Sequence, residues 1–201
     1  MRVLFDGTPC TFSADTIGDA VAQGTEHANS AGRVIIEISV DGQTLDIEDG
    51  IQEDAVAEEI SFTSLTPDEL LLATLELGER AIESAQENFN RAAQLIQSGD
   101  RAQAHLELKQ GIDLWKTVEE TVFREIIPEI PHQDKALGDR VSELRNSLDA
   151  IMTAIANNDV AALSDTLLYE FPRTSAGCAS FLKQCSETVT QGILNDRESD
   201  A

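Results

Sequence analysis

The chain has 201 residues, enough for one or two domains with a sizeable core. Its 37 acids against 14 bases give a formal net charge of −23 and a pI near 4.2. That balance argues against nucleic acid or anionic membrane as partners, since both carry dense negative charge, and makes a basic protein surface the natural complement.

The N-terminal run Met1-Arg2-Val3-Leu4-Phe5-Asp6-Gly7 lacks the apolar core of a signal peptide, and no stretch approaches transmembrane length, so a cytoplasmic protein is expected. Val3-Leu4-Phe5 and Pro9 to Phe12 are short strand candidates, with Asp6-Gly7 as turn chemistry between them. A helix is expected from about Asp15 to Ala31, with Ile17, Val21 and Ala28 inward and Gly18 and Gly24 weakening it. Val34-Ile35-Ile36-Glu37-Ile38-Ser39-Val40 is the strongest strand pattern in the chain. Asp41-Gly42 signals a hairpin with a return strand over Gln43–Ile47. Asp46–Glu59 holds seven acids and no base, which reads as a solvated linker or short helix. As a calcium loop it fails, because aligning Gly50 puts Leu45 and Ile47 at oxygen-ligand positions. A last strand is expected at Ile60-Ser61-Phe62-Thr63. The resulting order β-β-α-β-β-(β) over residues 1–63 resembles a ubiquitin-like β-grasp module, and the resemblance implies a small binding domain. The chain has no terminal Gly-Gly, so modifier or sulfur-carrier chemistry is not implied.

Thr66-Pro67-Asp68-Glu69 is a helix start: Thr66 can cap, Pro67 suits the first helical position, and Glu69 completes a capping box. Leu71, Leu75, Gly78, Ile82, Ala85, Phe89, Ala92 and Ile96 then recur at steps of three and four, a seam that predicts a helix over about 67–98. A second stripe, Leu70-Ala73-Leu77-Ala81, covers the first half of the same helix and exceeds what one neighbour needs. Ser98-Gly99-Asp100 breaks the pattern, with Gly99 for a left-handed turn and Asp100 as the next cap. A second helix, about 100–127, carries Leu108, Ile112, Trp115, Val118, Val122 and Ile126, and Pro128 and Pro131 end it. A third, about 134–157, carries Leu137, Val141, Leu144, Leu148, Ile151 and Ile155. After Asn157-Asn158-Asp159 a fourth, about 159–193, carries Leu163, Leu167 and Phe171, then meets Pro172, which should kink or interrupt it. The seam resumes through Cys178, Phe181, Leu182, Cys185 and Val189, and Asn195–Ala201 is a polar tail.

The expected fold class is therefore α+β: a small acidic β-grasp-like domain over 1–63, then an antiparallel four-helix bundle with long helices over 64–201. Residues 1–62 hold thirteen acids and two bases, so the small domain is the more densely acidic. The size, acidity, helix length and Leu167-Leu168-Tyr169-Glu170 run of the second part resemble bacterial flagellar and type III export chaperones. That resemblance implies a non-enzymatic chaperone-like or adaptor role.

Chemistry-bearing constellations are sparse. The sole Glu-x-x-His, Glu129-Ile130-Pro131-His132, sits in a proline-rich turn without a second copy, so neither a metal nor another cofactor is expected. His105, followed by Lys109 and Gly111, resembles the His-Lys-Gly arrangement of histidine phosphotransfer bundles, which need the lysine three residues on and the glycine directly after it; here the intervals are four and six. No Gly-rich loop matches a phosphate fingerprint. Cys10, Cys178 and Cys185 read as small apolar packers in a reducing compartment. The expected function is an adaptor presenting an apolar helix face, anchored by Leu70, Leu77 and Phe89, to a basic protein client. Phosphotransfer through His105 and Lys109, or self-association into a homodimer along the long hairpin, are the alternatives.

Overall fold

Two Asp-Gly pairs set the first hairpins of the fold. Asp6-Gly7 (φ 49° and 75°) and Asp41-Gly42 (φ 49° and 80°) both place two successive residues in the left-handed region. That is the demand of the tight turn whose twist matches paired strands. The computed structural model describes residues 1–45, 54–130 and 136–199, and the molecule is mixed α+β. The chain divides into two compact units, Met1–Leu70 and Leu71–Ala201.

In the first unit, β1 (Arg2–Phe5), β2 (Thr8–Pro9), β3 (Val34–Val40), β4 (Gln43–Thr44) and β5 (Glu59–Leu65) form one sheet in the order β2-β1-β5-β3-β4. The central β1 and β5 run parallel, and the other pairs are antiparallel. Alternation sends Val3, Phe5, Ile60 and Phe62 inward, where they meet Ile17, Ala20 and Ala28 of α1 (Ile17–Ser30). Gly24 is no weakness here. A Cβ at that position would stand 2.7 Å from the Phe62 ring, so the helix lies on the sheet only because Gly24 has none. The second strand is shorter than the Pro9–Phe12 expectation, and Phe12 packs against His27 of α1 instead. A register shift between Ile35 and Glu37 interrupts the alternation of β3, leaving Val34 and Ile36 exposed while Ile38 is buried. Elsewhere the outward face is polar: Arg2 pairs with Glu59, Ser39 Oγ lies 3.2 Å from Ser61 Oγ, and Thr44 donates to Glu37. The first part of the acidic stretch 46–59, and the Pro131 and His132 end of the Glu-x-x-His turn, lie outside the described residues.

One arginine gathers the loops at the far end of β5. Arg33 donates from Nε to Ser64 Oγ (2.7 Å) and from its terminal nitrogen to the Ser64 carbonyl (2.9 Å). Its guanidinium also lies 3.3 Å from Asp6 and 3.8 Å from Glu69. Asp6 in turn accepts from the Ser64 amide and hydroxyl, both at 2.7 Å. Glu69 and Thr66 form the reciprocal capping box: the Thr66 amide donates to the Glu69 carboxylate (2.9 Å) and the Glu69 amide to Thr66 Oγ1 (3.2 Å).

The second unit packs around a single core. α2 (Pro67–Ser98) contributes Leu75, Ile82 and Phe89, and α3 (Arg101–Thr117) contributes Leu108 and Trp115. α4 (Ala136–Ala156) adds Leu144 and Ile151, while α5 (Val160–Asp165) and α6 (Phe171–Ser199) add Leu163, Phe171 and Leu182. The Phe89 and Phe171 rings meet edge to face at 4.5 Å, with Trp115 against Phe171 at 6.3 Å. Trp115 Nε1 is buried and has no hydrogen-bond partner among the described residues, so the ring is held by packing alone. Gly99 takes φ 86° after α2, and Asp100 caps α3 at the Gln103 amide. Asp159 caps α5 in the same way at Ala162.

The second helix ends around Pro128 as expected, whereas Pro172 departs from expectation. α3 passes without a break into a π-helical stretch, Val118–Ile126, and then a 3-10 turn over Ile127–Glu129 that holds Pro128. Pro172 does not interrupt its helix. The five residues before α6, Thr166–Glu170, are wound as a π-turn, and the Phe171 amide donates to the Thr166 carbonyl five residues back. The wider turn absorbs the donor that Pro172 lacks, and the chain stays helical from Val160 to Ser199.

Two expected outcomes test this account. Burial, the largest influence on Asp6, pushes its carboxyl pKa upward, but the Ser64 hydroxyl, the Ser64 amide and the Arg33 charge together outweigh it and lower it below the ordinary 3.8. Asp6 therefore contributes stability in full above its unfolded pKa and loses it as pH falls through the lower folded value. Asp6→Asn keeps a residue that tolerates the left-handed turn. It should unfold more readily at pH 7 and lose less stability than the wild type below about pH 4, as read by circular dichroism melts across pH. In α3, a Cβ at Gly111 would stand 2.5 Å from the fully buried Phe89 ring. Gly111→Ala gains up to about 1 kcal/mol of helix propensity but forces overpacking that costs about 1–3 kcal/mol. A net loss in urea denaturation is expected.

Candidate functional site

The anchors read from the sequence fall in different environments. Phe89 is fully buried, seated on Gly111 and against Phe171, so it is a core residue and is corrected out of the docking set. Its place on the seam that α2 turns toward the core is the physical reason. Leu77 is 62% exposed, Leu70 is half-buried and Ala73 is exposed, while Ala81 packs partly on the core. The second stripe of α2 is thus open mainly at Leu77. His105 and Lys109 are both exposed on α3, but Gly111 is occupied beneath the Phe89 ring. The glycine that a phosphotransfer arrangement would use to admit a partner is here spent on internal packing.

Two apolar openings lie elsewhere, each lined in part by α3 and α4. At one end a cleft of about 240 Å³ is walled by Ile96, Leu108, Ile155 and Leu163, with Arg101 and His105 at its rim. Farther along, a second cleft of about 310 Å³ is walled by Ile112, Leu148 and Met152. Residues of α3 and α4 line both clefts, together the α3–α4 groove, and the first is walled also by Ile96 of α2 and by Val160 and Leu163 of α5. Ile112, Leu148 and Ile155 touch the core and remain half-buried, whereas Met152 is 51% exposed and Val160, at the first cleft, 40%. Glu119 and Arg145 bridge the far end, with Arg145 Nε donating to Glu119 at 2.6 Å, and Lys116 and Asp149 stand beside them.

The sequence placed Ile112, Leu148 and Ile155 on core seams, as it did the buried Leu108, and nothing in their spacing shows that part of each of the three is left uncovered. Met152 was missed altogether. The available signal was its position directly after Ile151, which widens the apolar stripe of α4 beyond one neighbour.

Other groups are committed to packing. A polar cleft of about 320 Å³ lies near Ser147 and Thr174, but these hydroxyls are 3.3 Å apart, and each also donates to a backbone carbonyl of its own helix. Burial pushes the Cys10 and Cys185 thiols above their ordinary pKa, away from the reactive thiolate, and Cys178 is buried. Among the described residues no group of three or more His, Cys, Asp or Glu side chains is placed to hold a metal ion. No helix among them is long and apolar enough to cross a membrane.

The model of a family described as a domain of unknown function, DUF8042, matches residues 74–174, half of the chain. The chain belongs to the DUF8042 family. The matched stretch begins in the first turns of α2 and ends within α6, just past Phe171, so it contains every residue that lines the groove. No curated protein and no solved structure matches the chain.

The exposure pattern separates surface from core by experiment. Leu77→Asp should change unfolding free energy by no more than about 0.5 kcal/mol, whereas Phe89→Ala should cost about 3–5 kcal/mol. Parallel urea titrations of the two variants check the contrast.

Proposed function

We propose that this DUF8042 chain is a non-enzymatic adaptor that receives a helical segment of a protein partner in the α3–α4 groove. One observation carries the reading: two apolar clefts are both lined by α3 and α4, with Met152 of α4 exposed at one and Val160 of α5 exposed at the other. Such a groove suits the apolar face of an amphipathic helix, whose side chains recur along one stripe. The acidic surface, at −23 overall, would steer a partner whose outward face is basic and discourage acidic ones. The reading fits an architecture of a β-grasp-like module followed by an antiparallel four-helix bundle. Support for the first is the order β2-β1-β5-β3-β4 with parallel β1 and β5 and α1 across one face. Support for the second is the core shared by α2, α3, α4 and the α5–α6 helix. A chaperone-like role is one form this adaptor function could take.

The test compares three full-length proteins as bait in native lysate at high salt: wild type, Met152→Asp and Leu77→Asp. Met152 and Leu77 are both more than half exposed, so each variant should fold. A stoichiometric protein held by the wild type and Leu77→Asp but lost from Met152→Asp is the expected result. Loss from Leu77→Asp alone would move docking to the α2 stripe, and capture by all three would place it off both surfaces.

A further inference from the structure

The groove carries balanced charge in a chain that does not, which singles out one further occupant for it. We propose that, in the absence of a client, a second copy of this chain covers the α3–α4 groove in a two-fold dimer. In it, α4 of each copy lies antiparallel to α4 of the other around Leu148. The inference rests on the adaptor reading of the same groove and adds regulation to it: dimer and client complex exclude one another.

Charge restricts where two copies can meet. Each carries a formal −23, so most approaches bring like charge against like charge. The groove is different. Among the described residues lining the two clefts, Arg101, Lys116 and Arg145 stand with Glu119, Asp149 and Asp159, three bases with three acids. The whole chain has 14 bases against 37 acids. A basic client therefore meets no acidic surplus inside the groove, and its attraction comes from the rest of the surface.

A two-fold contact needs more than neutrality, because the patch must complement itself and each copy must carry both members of every pair. The exposed edge of α4 does so. Arg145 and Asp149 stand one turn apart on it, and opposite signs so placed meet crosswise when a copy of the same helix packs antiparallel. With the axis beside Leu148, Arg145 of one copy comes to within about two residues of the level of Asp149 in the other, about 3 Å along the helix. Arg145 is 52% exposed while it holds Glu119, so its guanidinium keeps donors for a second carboxylate. Asp149 has no ion pair among the described residues. Met152, also exposed, comes level with the apolar stem of the other copy's Arg145 and covers the cleft beside its Leu148.

The experiment is sedimentation equilibrium of the full-length chain at concentrations up to about 1 mM, in low salt and in about 0.5 M salt. The expected result is a monomer–dimer equilibrium that tightens as salt screens the repulsion between two −23 bodies, opposite to the salt response of a basic client. Met152→Asp should weaken the dimer at least about tenfold, the scale of one interface anchor. Asp149→Arg and Arg145→Glu, both at exposed positions, should each stay monomeric alone. Their equimolar mixture should form a heterodimer, since each then supplies one sign. A chain that is monomeric throughout would overturn the proposal and leave the groove to a client helix, with the adaptor reading untouched. A dimer that Met152→Asp leaves unchanged, or single charge variants that dimerise like the wild type, would also overturn it, because the copies would then meet elsewhere. The expected dimer, together with no lysate protein captured through Met152, would support the dimer and sink the adaptor reading.

Discussion

The packing of the helical unit turns on the meeting of Phe89 with Gly111. The ring occupies the space where any other residue at position 111 would carry its Cβ, so its seat on α3 exists only because Gly111 has none. Phe171 closes the ring from α6, and Trp115 stacks its edge against Phe171. Three of the four long helical segments are thereby tied at one aromatic point. Gly78 repeats the device nearer the start of α2, where a Cβ would stand 2.9 Å from Val122.

The same reasoning shows why the sequence was legible in some places and opaque in others. Caps and turns are local chemistry, and they were readable residue by residue: the Thr66–Glu69 box, Gly99, Asp100 and both Asp-Gly turns all sit where their side chains and φ preferences put them. The α2 seam was readable because period alone identifies an inward face, and Leu75, Gly78, Ile82, Ala85, Phe89 and Ala92 are indeed buried. Phe89 was misassigned as an anchor because a seam states only that a residue faces a neighbour, not whether that neighbour belongs to the same chain. The groove was unreadable for the complementary reason. Ile112, Leu148 and Ile155 keep the heptad step while standing half out of the core, and periodicity carries no information about helix separation.

Proline and glycine were read through their usual penalties, and Pro172 and Gly24 show what those penalties leave out. Pro172 was expected to kink or interrupt its helix; the helix is not interrupted, because the preceding π-turn supplies a geometry in which the missing donor is not needed. Gly24 was expected to weaken α1, yet it is the residue that lets the helix lie on Phe62. In each case a local cost is set against a nonlocal gain, and only the packed neighbour reveals which is larger.

The placement of the aromatic chromophores also has a consequence. The chain holds one tryptophan and one tyrosine, Trp115 in the aromatic core and Tyr169 in the π-turn beside it in sequence from Phe171, and both belong to the second unit. The first unit, with its sheet and α1, contributes only phenylalanine rings. Absorbance at 280 nm and intrinsic emission therefore come entirely from the helical unit. An optical melt would follow that half of the molecule alone, and the sheet could unfold earlier or later without altering the trace.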